Sequence, residues 1–130
     1  ANAIAPGKRP LSSMTPTFLE GDRGMAILGT PGGSRIISMV LLATLDITAG
    51  GDASSAVSVK RFHHQYLPDE IQYEPDALTP EVISALQAMG HRLRALTRHY
   101  GNMQAVWWDK KTGRVSAASD PRGEGLAELR

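Results

Sequence analysis

A chain of 130 residues with 14 basic and 13 acidic side chains has room for one core and no net field that would gather nucleic acid. Its apolar share of 42% is too high for a disordered chain. The absence of cysteine excludes disulfides, thiolate nucleophiles and cysteine-bound zinc.

The opening "ANAIAPGKRPLSSMTP" has no period and no signal-peptide core, and reads as irregular. Thr17 to Glu20 and Met25 to Leu28 are short strand candidates joined by the turn "GDRG". The glycine-rich "GTPGGSRII" follows, and a helix is predicted from about Ser34 to Thr48. Its apolar residues Ile36, Ile37, Met39, Val40, Leu41, Leu42 and Leu45 cover most of the circumference, which predicts burial on several sides. The run is interrupted by Ser38, Thr44 and Asp46 and is too short to span a bilayer. "AGGD" ends it, and Asp52 caps a second helix that runs to about Val59. "RFHHQYLPDEIQYE" has no helical period and reads as loop with short extended pieces. In "LTPEVISALQAMGH", Thr79 caps a helix, Pro80 takes its first position and Glu81 complements its dipole. Val82, Ile83, Leu86 and Met89 form its apolar face, and Gly90 ends it. "MQAVWWD" and "RVSAAS" are two strands around "KKTG", with Trp107 and Trp108 on opposite faces. Helices packed on a sheet in an α+β arrangement follow from this order, as one domain over residues 1–130.

A Gly-rich turn ahead of a helix leaves backbone N–H groups free, so Gly32 and Gly33 fit either a structural turn or an oxyanion hole. The spacing is neither a Walker loop nor a dinucleotide fingerprint. Ser12 and Ser13 are either solvated loop hydroxyls or ligand contacts, with no base nearby to make a nucleophile. His63, His64, Asp69 and Glu70 hold no helical metal motif, and neighbouring loop histidines diverge, so hydrogen-bonding roles suit them better. No metal or cofactor is implied. Ser119 to Arg122, "SDPR", reads as a turn held by a salt bridge.

The ordered set "KRPLSSMTPT", "GTPGGSRII", "RFHHQYLPDEI", "LTPEVISALQAMGH" and "AASDPR" resembles the gamma-glutamyltranspeptidases, in the C-terminal part of their small subunit. The resemblance runs from Ala1 to about Arg122, and the tail beyond matches poorly. Lys60 stands where a proline is usual, and Tyr66 replaces a usual tryptophan. The resemblance implies part of an N-terminal nucleophile hydrolase, with two central sheets between helical layers. It implies cleavage of the gamma-glutamyl amide of glutathione and related compounds, and transfer to water, amino acids or peptides. By the same resemblance Gly32 and Gly33 form the oxyanion hole, and Ser12 and Ser13 bind the substrate alpha-carboxylate. The histidine pair is not catalytic in that family.

The family's nucleophile is a threonine at the head of the small subunit, whereas residue one here is Ala1. The expectation is therefore a fragment that lacks the nucleophile segment and the large subunit, turns nothing over alone, and self-associates through uncovered apolar surface. Compartment is open, although the family is commonly periplasmic, secreted or surface-anchored. Two other functions fit: an acylase of the same fold acting on cephalosporin side chains or poly-gamma-glutamate, and a non-catalytic anion-binding or assembly module.

Overall fold

The computed structural model describes residues 3–9, 11–12 and 14–129. Strands β1 (Thr17–Glu20), β2 (Gly24–Gly29), β6 (Gln104–Asp109) and β7 (Val115–Ser119) form one antiparallel sheet in the order β1-β2-β6-β7. The register pairs Ala26 with Trp107 and Leu28 with Ala105, and all four side chains face inward. Alternation sends Ile27, Val106 and Trp108 to the opposite face, so the two tryptophans divide as their adjacency predicts.

Helices α1 (Ile36–Thr48) and α2 (Ala53–Ser58) cover the inner face. Ile36, Met39, Val40, Ala43 and Ile47 of α1 meet Ala53, Ala56 and Val57 of α2 in a core closed by Met103 and the inner strand residues. Asp52 accepts from Ser55 N at 3.0 Å while Ser55 Oγ accepts from Asp52 N at 2.8 Å, a reciprocal cap that starts α2.

A second sheet holds β3 (Phe62–His63), β4 (Ile71–Tyr73) and β5 (Leu93–Ala95). β3 pairs antiparallel with β4, and β5 pairs parallel to it. α3 (Pro80–Ala88) makes the crossover that a parallel pair requires. It has the expected Thr79 cap, Pro80 at its start and Gly90 at φ 92 just past its end.

Two expectations change, both at α1. α1 is preceded by a 3₁₀ turn at Gly33–Arg35 and becomes α-helical only at Ile36, two residues later than its sequence suggests. It is buried on one side only: Ile37, Leu41 and Leu45 are 66%, 55% and 55% exposed. Their spacing of four aligns them in one stripe pointing away from the sheet. The apolar face of α3 lies largely outside the core, with Val82 and Met89 exposed, and the helix packs chiefly against β5 of the small sheet.

A buried ion network joins the two sheets. Arg61 meets Asp120 at 2.5 Å, and Arg122 donates to Glu74 through Nε and Nη2, both at 2.9 Å, and to Asp120 at 3.2 Å. Arg61 also donates to the carbonyls of Val57 and Tyr100. Glu74 accepts from the N–H groups of Arg61 and Tyr100. Two cations and two anions balance, so burial leaves no charge uncompensated. The ion pair expected for "SDPR" is there, enlarged into a four-residue cluster.

Candidate functional site

β2 ends at Gly29, and the chain turns through Thr30 and Pro31 into Gly32 and Gly33, with φ of 148° and 59°. Both angles lie where a Cβ is strained, and at Gly32 a Cβ would stand 2.5 Å from Met39 Cε. Arg35 N donates to Gly32 O at 3.2 Å and closes the turn. Both glycines are exposed, and among the described residues no acceptor takes either N–H. With Ser34, Arg35, His63, Gln65 and Gln72 they line a cleft of about 320 Å³.

The cleft's polar wall comes from one rung of the small sheet. His63 and Gln72 are direct cross-strand partners, each only 7% exposed. Gln65 Nε2 donates to Leu67 O, which turns Gln65 Oε1 toward His63 Nε2 at 2.9 Å. That orientation assigns the ring proton to Nε2. His63 Nδ1 lies 2.8 Å from Ser38 Oγ, which also sits 3.0 Å from Arg35 O. Arg35 Nη2 donates to Gln72 Oε1 at 2.5 Å, and its guanidinium lies 4.6 Å from the Tyr100 ring centroid. Burial, reinforced by Glu74, pushes the Tyr100 phenol up to about 12, so it stays neutral beneath the cation. The arrangement presents unpaired N–H donors and a cation around one small polar space, which suits a developing anion.

The family profile for gamma-glutamyltranspeptidase matches residues 1–129. The chain belongs to this family. The match runs past Arg122, where the sequence resemblance was expected to fade. A glutathione hydrolase proenzyme from Escherichia coli is 41% identical over 124 residues, which cover 94% of this chain and 21% of that protein. The gamma-glutamyltranspeptidase of Pseudomonas nitroreducens, solved with L-DON, superposes with a TM-score of 0.81 at 40% identity, covering 99% of this chain and 68% of that one. The transpeptidase CapD of Bacillus anthracis gives 0.80 at 26% identity, over 96% and 75% of the two chains. The α+β class and the N-terminal nucleophile hydrolase fold of gamma-glutamyltranspeptidases therefore hold for this chain, which spans about a fifth of the proenzyme it matches.

Of the residues that the gamma-glutamyltranspeptidase resemblance singled out, the glycine pair lines the cleft and Ser12 does not. Ser12 is exposed ahead of β1, its Oγ accepting from Met14 N at 3.0 Å, and Ser13 lies outside the described residues. His63 and His64 diverge as expected. His64 Nε2 pairs with Asp69 at 2.8 Å on the surface, a bond that holds the Asp69 carboxyl below its usual value. Glu70 accepts from Gln72 and pairs with Arg94. Among the described residues no cluster of three or more His, Asp or Glu is placed to hold a metal ion. Arg35, Gln65 and Gln72 are the cleft residues that sequence reading passed over. The one available signal was the position of Arg35 directly after the glycine turn.

Proposed function

We propose that this chain supplies the oxyanion-stabilising part of a gamma-glutamyltranspeptidase. Such an enzyme cleaves the gamma-glutamyl amide of glutathione and related compounds and passes the acyl group to water, amino acids or peptides. The observation that carries the reading is the exposed Gly32–Gly33 pair, whose N–H groups have no acceptor among the described residues and which lines a polar cleft. As a nucleophile adds to the amide carbonyl, its oxygen gains negative charge, and the two N–H donors stabilise that charge more than the neutral carbonyl. Ser12 and Ser13 hold the substrate alpha-carboxylate. The threonine nucleophile comes from the N-terminal part of the small subunit and the remaining substrate contacts from the large subunit. The isolated chain is accordingly inactive, and release of anilide from a gamma-glutamyl anilide by purified chain would contradict this.

The φ of 59° at Gly33 rules out proline as a clean way to remove the donor, since proline requires a negative φ. An amide-to-ester exchange at Gly33, made by ligation within the complete enzyme, removes the N–H without that strain. Turnover of the anilide should fall about 10²–10³-fold with little change in KM. Turnover within a factor of about three of wild type returns the glycines to a purely structural turn. A second reading is a related acylase of the same fold with another acyl donor; the likeness to CapD, a transpeptidase, supports the shared fold. Relative turnover of gamma-glutamyl and poly-gamma-glutamate donors separates the two.

A further inference from the structure

We infer that Arg35 is a positioning residue for the Gly32–Gly33 amides, an inference that rests on the oxyanion reading of that pair. Arg35 closes the turn through its own N–H to Gly32 O, the carbonyl of the peptide unit that carries the Gly33 N–H, so a shift of its backbone acts directly on that amide. Its guanidinium has no carboxylate in ion-pair range among the described residues, which sets it apart from Arg61 and Arg122. It is held instead by the Gln72 amide oxygen and the face of Tyr100. Both anchors are themselves fixed. Gln72 Nε2 donates to Glu70 Oε1 at 2.8 Å, which points the amide oxygen at Arg35. Tyr100 is tied by its backbone to Glu74 and Arg61 of the buried ion network.

A second grip lies on the same rung. Ser38 Oγ lies 3.0 Å from the Arg35 carbonyl and 2.8 Å from Nδ1 of His63, the cross-strand partner of Gln72. With the ring proton on Nε2, the single hydroxyl hydrogen of Ser38 serves one of the two acceptors at a time. The turn's exit is thus held through the Arg35 side chain to Gln72, with the Ser38 hydroxyl shared between the Arg35 carbonyl and the other residue of the same strand pair. Arginine is needed here because a planar fork can donate to an amide oxygen and lie flat on an aromatic ring at once. A neutral amide partner leaves the cation's charge uncancelled beside the cleft, where it adds to the field on a developing oxyanion.

The test uses the complete enzyme that carries this segment, with Arg35→Met, Arg35→Lys and Gln72→Met, beside the Gly33 ester. Arg35→Met should lower kcat for a gamma-glutamyl anilide about tenfold or more while KM moves less than about twofold. Affinity for a tetrahedral boronate analogue of glutamate should fall by the same factor as kcat, at an unchanged thermal midpoint. Arg35→Lys should recover only part of the loss. Gln72→Met, which leaves Arg35 in place, should reproduce the split if Arg35→Met does not fold. Wild-type kcat and analogue affinity in Arg35→Met, or in Gln72→Met where the former does not fold, overturn the inference while an impaired Gly33 ester keeps the oxyanion reading. An unimpaired Gly33 ester removes both.

Discussion

Asp120 lies fully buried between two arginines, accepting from Met103 N on Oδ2 and from Arg122 N on Oδ1, each at 2.9 Å. Burial alone would push its carboxyl up, but these amides and the Arg61 guanidinium outweigh it and hold the group below its ordinary value. The opposite balance holds at Arg122, where burial favours the neutral form but Glu74 and Asp120 raise the value further. For Asp120 the sign is that of a depressed carboxyl. Its contribution is complete above the unfolded value of 3.8 and is lost as pH falls through the lower native value. Asp120→Asn keeps the shape but leaves Arg61 buried without its anion, which should cost about 3 kcal/mol at neutral pH. The urea midpoint measures this, and its decline in acid should be shallower in the variant than in wild type. An unchanged midpoint and an unchanged acid limb would show that the network adds no net stability.

The element that carries the glycine turn, α1, is fastened at both ends by residues distant in sequence. At its C-terminus Arg23, from the β1–β2 turn, donates to Ile47 O at 2.8 Å and Gly50 O at 2.9 Å. Its guanidinium also lies 5.2 Å from the Trp107 centroid, so the helix's negative end, a strand and a turn meet on one cation. Arg23→Ala should lower stability by about 1–2 kcal/mol, and Arg23→Lys should restore less than half of it, because lysine cannot reach two carbonyls as a fork. Equal stability of the alanine and wild-type chains in urea would refute this cap. The ends of α3 were legible because Thr79, Pro80 and Gly90 act on backbone within a few residues. The β1–β2 and β6–β7 hairpins were legible because alternation and a turn suffice to specify them. β5 was not, since three residues forming a parallel pair across a helix leave no periodic trace. The cleft was half legible for the same reason. Gly32 and Gly33 announce a special backbone, whereas His63 and Gln72 become neighbours only once a two-residue strand pairs.

At the scale of the whole molecule the four-stranded sheet has one face in the core and one without a helical layer. Register places Phe18, Ile27 and Val106 side by side on that outer face, with Trp108 and Val115 on another rung. Phe18 is 67% exposed, and the segment at Leu126 and Ala127 borders a cleft beside Ile27 and Val106 without closing over the face. The stripe of Ile37, Leu41 and Leu45 on α1 adds a second apolar surface. Monomeric proteins rarely expose contiguous apolar patches beyond roughly a few hundred Å². The proenzyme that this chain resembles has about four-fifths of its length outside the matched segment, ample material to cover both surfaces. Without that cover the isolated chain should associate with itself, and the sheet face is the stronger contact because flat paired strands stack on one another. Light scattering should show mass rising with concentration. Trp108→Glu should suppress that rise and leave the fold intact, since this half-exposed side chain points away from the core. A monodisperse monomer of the unmodified chain at high concentration would defeat the prediction. Association unaffected by Trp108→Glu but abolished by Leu41→Glu would move the contact to α1.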